Sequence, residues 1–479
     1  MKSELIDPKK YRQLFINDFA AESITGAKRT LHSPKKWGPV ITGSIQSRTC
    51  PQWNSEKNLW EWWYEGDHVR YATSEDGQHW EKPHLGLFEW EGSSNNNIAF
   101  DPKESPGPPY HIVRDETDPD PERRYKGLLS YSDRYPAVSP DGFHWTLVDT
   151  PPIPSQDQSQ FTHDHQTNQF LALVKLSTEW GRSVWLSTSS DFRKFSDPQL
   201  IFHTDEIDRE NRRRRVREVI ENPAYITPPI IDEEDYIAEC YNMAVLPYQG
   251  FYIGFPTIFN PVGAVPPPAT NYCRINQIEM TVSRDLLHWE RVADRALFIA
   301  LEPFDGENYG CSQVLMAGHP IVRDDGEIWC YYNALRCPGS IEQYREFGRG
   351  KELFRLNAKP AHFADSGALT LAKLRPDGFV SLDGGECGTI LTKPFELKGE
   401  DVYINADASW GEIYAEIVDG ETRKPHDGFW VPGERPEPFT GDSTKARLKW
   451  KHPHDLVFER PVRLKLYLRQ ARLYSFWIE

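Results

Sequence analysis

Glu239 opens the most apolar stretch of the chain, Ile237–Phe255, in which two strands meet at a turn over Pro247–Gly250. Pro pre-sets a turn dihedral there and Gly accepts a positive φ. A carboxylate at the mouth of a buried strand is either a strand-end solvent contact or part of a site, and acidic side chains are mostly exposed. Other polar residues hold the equivalent place ahead of other hairpins: Arg48, then Tyr110 and His111, then Asp157, and finally the segment Glu307–Gln313, which includes Tyr309. If these places converge, Glu239, Asp157 and Glu307 crowd like charges at one point. That is costly unless a ligand or a proton uses them. The chemistry expected is therefore carboxylate chemistry, with Arg48, Tyr110, His111, Tyr309 and Gln313 available to hold a ligand.

The elements that could bring them together form an internal repeat. Tyr71–Trp80, Ala137–Trp145, Leu186–Phe195 and Thr281–Trp289 each read as a short strand, an Asp-centred turn and an aromatic that begins the next strand, with a weaker fifth copy at Ala372–Phe379. Asp-Gly between apolar runs is a strong hairpin signal. The recurring aromatic reads as a packing anchor. Upstream of each turn lies a second hairpin ending in an apolar strand, as in Leu59–Tyr64 and Glu327–Tyr332. Five such antiparallel units predict an all-β fold, a five-bladed β-propeller over residues 1–375, in which the first strand of each blade lines a central channel. The lone strand Leu14–Phe19 is expected to close the last blade and remove an open edge. A helical insertion is expected at about 205–222, and the period-two strands of 376–479 read as a C-terminal β-sandwich. Within the helix, the run Arg212–Arg215 reads as a solvated face, with an anion site as the alternative.

Composition narrows the function. With 55 Lys+Arg against 71 Asp+Glu, the net charge of −16 argues against a nucleic-acid partner. The 16 Trp could offer flat platforms for sugar rings, although for any single Trp, packing is the simpler role. Seven scattered cysteines without a Cys-x-x-Cys pair suggest neither a disulfide framework nor a zinc site. The N-terminus lacks an apolar leader and no 18-residue apolar run occurs, so a cytoplasmic protein with no membrane partner is expected. No cofactor or metal is expected, and homo-oligomerisation is left open.

The chain resembles the five-bladed glycoside hydrolases of families 32 and 43, with a C-terminal β-sandwich as in family 32. The resemblance rests on Leu14–Asp18, the Ser-x-Asp-Gly-x-x-Trp turns, Gly378–Asp383 and Ala471–Phe476. Glu239-Cys240 resembles the Glu-Cys pair that carries the family-32 general acid, and Asp157 falls where those families place an Asp that stabilises the transition state or tunes the acid. Arg114-Asp115 is only superficially like the family's Arg-Asp-Pro, since it sits at the far end of its strand. One departure matters: the first-blade Asp that serves as nucleophile or base is absent, and Arg48, Thr49 and Cys50 stand in that region. Glycoside hydrolysis normally needs two carboxylates, so Glu307 is the expected substitute. The resemblance implies an exo-acting glycosidase on short oligosaccharides, retaining or inverting, with Glu239 as acid. The alternatives are a catalytically inert carbohydrate-binding propeller, and a glycoside phosphorylase in which Arg48 and His111 hold phosphate.

Overall fold

The computed structural model describes residues 5–100, 105–267, 271–338, 341–346, 361–426, 437–450 and 456–479. Nearly all regular structure among them is β. Three separate four-stranded antiparallel sheets come first in the chain. The first unit is Gln52–Asn54, Leu59–Glu65, Val69–Ser74 and Ile98–Phe100. The second is Pro109–Arg114, Tyr125–Leu129, Tyr135–Ser139 and Thr146–Leu147. The third is Gln160–Asp164, Gln169–Thr178, Gly181–Ser189 and Gln199–Phe202. An eleven-stranded sheet holds the remaining two units, linked through Tyr272–Glu279. Its fourth-unit strands are Glu239–Tyr248, Phe251–Ala264, Thr281–Ser283 and Trp289–Arg291. Its fifth-unit strands are Gln313–Met316, Ile328–Leu335, Gly367–Leu374 and Lys35–Gly43.

The Asp turns share one environment. Asp76 Oδ1 accepts from the amides of Gln78 and His79 at 2.7 and 2.8 Å, and Asp141 Oδ1 from Phe143 and His144 at 2.8 and 2.9 Å. Asp191 and Asp285 repeat the pattern. In each, a Ser two residues earlier hydrogen-bonds the same carboxylate oxygen. The Trp indoles of three turns donate to the carbonyl of the residue after the Asp, so the recurring aromatic is the anchor its position suggested.

Each turn packs on the preceding unit. The carbonyl of Gly77 in the first unit accepts from Tyr331 Oη of the fifth at 2.6 Å. Gly142 of the second lies on Trp63 of the first, where a Cβ would come within 2.4 Å of the indole. Arg123 of the second donates to the carbonyl of Asp191 in the third at 3.0 Å. Leu286 of the fourth joins Leu171 and Leu173 of the third in one core, and Phe379, after the fifth, packs on Phe255 of the fourth at 6.1 Å. The contacts thus run from the first unit to the fifth and back to the first.

The closing strand differs from expectation. Lys35–Gly43 completes the fifth unit, pairing with Gly367–Leu374 from Gly43↔Gly367 to Lys35↔Lys373. Its Gly38, Pro39 and Gly43 disguise it, but an outermost strand needs hydrogen bonds on one side only and tolerates Pro. Leu14–Phe19 lies elsewhere: Gln13 and Leu14 pair with Phe476 and Ser475 near the C-terminus. Leu14 and Ile16 enter the core of the fourth and fifth units, whereas Phe15 enters the C-terminal core. With side chains alternating at period two and apolar on both faces, the segment is a seam between two cores. Asp377, in the weak fifth copy of the turn, reinforces it: buried, it accepts from Ser475 Oγ at 2.6 Å and from Arg12 at 3.1 Å.

Five C-terminal strands, joined by Gln13–Leu14 and Ala21–Leu31 from the N-terminal end, form one seven-stranded sheet in which four strands close into a ring, where two layers of a sandwich were expected. Val380–Thr392 and Val402–Asp419 each pair with both Val462–Arg469 and Ala471–Ile478. Gly411 lets the longer strand lie close against the Arg469 carbonyl, which a Cβ there would meet at 1.8 Å. The helix spans Glu206–Glu221 and is capped by Asp205. Its arginine run is only partly solvated: Arg213 and Arg214 are exposed, but Arg212 and Arg215 are buried, with Arg215 paired to Glu279 at 2.6 Å. The three-residue spacing puts those two on one face, toward the sheet.

Phe15→Ala removes a fully buried ring that packs on Phe476 at 6.0 Å. Large-to-small changes of this kind cost about 3–5 kcal/mol, and denaturant unfolding is expected to show that loss in the transition that reports the C-terminal core.

Candidate functional site

Four strand units converge on Asp157, which precedes the first strand of the third unit. Its main-chain carbonyl accepts from Arg48 Nη1 at 2.8 Å and from Arg134 Nη2. Its carboxylate pairs with Lys175 Nζ and accepts from Tyr241 Oη at 3.2 Å. Lys175 also sits 4.1 Å from the centre of the Tyr241 ring. Burial raises the Asp157 pKa, but the Lys175 ammonium and its hydrogen bond outweigh burial, so the carboxyl lies below its ordinary range. Burial in turn pushes Lys175 down to about 8, against the pull of Asp157.

Arg48 is 2% exposed, and its guanidinium lies 4.6 Å from the Tyr110 ring and 4.9 Å from the Tyr131 ring. Its Nε is 3.0 Å from Glu65 Oε1. Glu65 ends the second strand of the first unit, tied by paired main-chain hydrogen bonds of 2.7 and 2.9 Å to Gln46, whose side chain donates to Oε2 at 3.2 Å. Burial moves Glu65 above the ordinary glutamate range, and the charge of Asp157 adds to the rise; Arg48 and Gln46 offset only part of it. Two carboxyls in one cluster are thus displaced in opposite directions. Behind them Arg134 is fully buried, and its donors go to Ser159 Oγ and to the carbonyls of Ser130, Gln156 and Asp157. Burial, then repulsion from Arg48, hold it down to about 9.

Glu239 begins the first strand of the fourth unit, two residues before Tyr241. It is 8% exposed and pairs with Arg182 Nη1, while the Arg182 amide reaches it at 3.4 Å. The Gly181 backbone packs on its carboxyl, and a Cβ there would lie 2.7 Å from the carboxyl carbon. Arg182 and Arg274 flank the Phe259 ring at 4.5 and 5.6 Å.

The structure therefore gathers Arg48, Tyr110 and Asp157 into one cluster, which continues through Lys175 and Tyr241 toward Glu239. His111 lies behind it: fully buried, it shares a 2.6 Å hydrogen bond with Ser159 Oγ, and burial with the charges of Arg134 and Arg48 holds it well below its ordinary range. A neutral imidazole so enclosed is a scaffold group and does not supply a cation to phosphate. Gln313 is buried and accepts from Asn276 at 2.8 Å, where the fourth- and fifth-unit strands pair. Tyr309 hydrogen-bonds Asp365 under Arg336. Glu307 is exposed in a turn capped by Asp305, its carbonyl bound by Arg336 at 2.6 Å. The structure does not bring the Glu307 carboxylate to Glu239 or Asp157, because the Asp305–Asn308 turn faces solvent. Asp115, set aside as a chance likeness, pairs with Lys126 at 3.3 Å at the other end of its strand.

Sequence reasoning missed Glu65, Arg134, Lys175, Arg182 and Tyr241. Glu65 closes the second strand of its unit and returns beside Gln46, away from the strand starts that the repeat singles out. Tyr241 stands two residues beyond Glu239, at a β-bulge between Cys240 and Asn242 that the sequence does not announce.

No group of three or more His, Cys, Asp or Glu side chains placed to hold a metal ion occurs among the described residues, and no described helix is long and apolar enough to cross a membrane. No family model matches the sequence, and no curated protein matches it. Solved structures to which the chain is similar include a thermostable family-43 glycoside hydrolase, at 12% identity and TM-score 0.40, over 74% of this chain and 96% of that one. Another is the β-fructofuranosidase of Schwanniomyces occidentalis complexed with fructosyl-erythritol, at 12% identity and TM-score 0.36, over 99% and 98%. A third is an N-acetylgalactosamine deacetylase from F. plautii, at 12% identity and TM-score 0.38, over 76% and 94%.

The Glu65 displacement has a measurable sign. A carboxyl whose folded pKa is raised binds more protons folded than unfolded, so its contribution to stability is lost as pH rises through the folded value. Glu65→Gln escapes that loss. Denaturant unfolding is expected to show the variant gaining on wild type as pH rises from 4 to 7, with no relative gain below the ordinary carboxylate range.

Proposed function

We propose that the five units form a five-bladed β-propeller whose mouth is a glycoside hydrolase active site acting on the ends of short oligosaccharides. Glu65 is the general acid, and Asp157 is the second carboxylate. The observation that carries this reading is that Arg48 joins the two residues, with its Nε 3.0 Å from Glu65 Oε1 and its Nη1 2.8 Å from the Asp157 carbonyl; burial displaces Glu65 upward, while the Lys175 ammonium holds Asp157 down. Pairs separated in this way by their surroundings are how one site keeps an acid and a base at the same pH. Glu65 gives its proton to the glycosidic oxygen as the bond to the anomeric carbon breaks. Asp157 acts as base on water or as nucleophile, the choice being set by carboxyl separation in glycosidases. Lys175 and Tyr241 keep Asp157 ionised and oriented. Glu239, fixed by Arg182, accepts from hydroxyls of the terminal sugar.

General-acid assistance is worth about 10²–10⁴-fold. Glu65→Gln is therefore expected to lose that much turnover on an oligosaccharide with a poor leaving group. It should keep most activity on an activated aryl glycoside, which departs with little protonation. Asp157→Asn is expected to slow both substrates, and Glu239→Gln to act chiefly on KM. If Glu239→Gln instead shows the leaving-group pattern and Glu65→Gln does not, the acid is Glu239. If neither variant changes turnover, the propeller is a binding module.

A further inference from the structure

The same cluster carries more positive than negative charge, in a chain whose net charge is −16. Arg48, Arg134, Lys175 and Arg182 surround three carboxylates, Glu65, Asp157 and Glu239, and Arg274 lies on the Phe259 ring that Arg182 also covers. Arg134 is buried and its hydrogen bonds go only to neutral acceptors, so no carboxylate is hydrogen-bonded to it, although Glu65 and Asp157 act on it from a distance. Nη2 of Arg48, itself 2% exposed, has no hydrogen-bond partner among the described residues, and neither does Nε of Arg274. Buried guanidinium donors are ordinarily paired, and leaving one unmade costs the desolvation of a charged group. Excess cation held out of water beside a partly open carboxylate, Asp157 with 30% of its side chain exposed, is the arrangement expected of a site whose missing counter-charge arrives with the ligand. Functional sites keep such destabilising features because the bound state repays them.

We propose that this site binds an oxyanion alongside the sugar, between Arg48 and the Arg182–Arg274 pair. The inference rests on the glycosidase site proposed above and names its substrate class: a glycoside that carries a carboxylate, or a neutral glycoside accompanied by free inorganic phosphate. Arginine suits both through planar, charge-assisted donors. His111 takes no part, since it is enclosed behind Ser159.

Isothermal titration of the full chain at constant ionic strength, with glucuronate, inorganic phosphate and glucose as probes, tests the proposal. At least one anion is expected to bind ten or more times tighter than glucose. Arg274→Gln, at a half-buried position, is expected to weaken that anion about tenfold, the worth of one charge-assisted hydrogen bond. Arg48→Met is expected to weaken it further, and thermal unfolding shows that each variant is folded. Glucuronate binding with cleavage of aryl glucuronides assigns the anion to the sugar, whereas phosphate binding with phosphate-dependent cleavage of neutral aryl glycosides assigns it to the free ion. Anions that bind no tighter than glucose, or that bind both folded variants as well as wild type, overturn the proposal. Failure here leaves the Glu65→Gln leaving-group pattern intact, and loss of that pattern with tight anion binding removes the hydrolase reading while the anion subsite stands.

Discussion

Asp157 is the interaction on which the site depends. Its carbonyl holds a guanidinium from the first unit and one from the second, and its carboxylate holds an ammonium from its own unit and a phenol from the fourth. Taking so many charges out of water costs more than the pairs return unless the geometry is good and further hydrogen bonds satisfy the remaining groups. Those partners come from the surrounding sheets, not from the local sequence. The same low-dielectric surroundings separate Glu65 from Asp157: one faces a shared arginine and burial, the other an ammonium of its own.

The sheets can enclose the cluster because each unit is stopped and seated in the same way. An Asp carboxylate satisfies the amides of its turn, a Ser steadies the carboxylate, and the following aromatic closes over the turn. The turn then rests on the preceding unit, as Gly77 does on Tyr331 and Gly142 on Trp63. Repeating one local device keeps the first strands of successive units side by side, which is where Arg48, Tyr110, Asp157 and Glu239 begin. The fifth copy departs from the pattern, and its Asp377 is spent on the C-terminal module through Ser475 and Arg12. The N-terminal segment does the same, with Leu14 and Ile16 in one core and Phe15 in the other. The two modules therefore share buried surface and are not beads on a linker.

The sequence alone determined the all-β class, the Asp turns and their aromatic anchors, and the helix near 205–222, and it singled out Arg48, Tyr110, Asp157 and Glu239, which lie at or a few residues before strand starts. These are readable because a turn or a strand start is set by residues a few positions apart: Asp-Gly chemistry and apolar alternation act locally. Only the tertiary structure decided the rest. Lys35–Gly43 completes a sheet with a partner more than three hundred residues away, and its glycines and proline hide it because an outer edge demands little of a strand. Glu307 was read as a site acid from its position in a repeat, yet its turn faces solvent, since the local Asp305 cap and Arg336 dictate its direction. Glu65 stands just past the Leu59–Tyr64 run, and nothing near it in the sequence singles it out; its burial, its arginine and its displaced pKa come from residues that reach it only when the sheets pack. Charge and burial are properties of the assembled surroundings, so the residues that could do chemistry were partly legible, but which of them meet was settled by the fold.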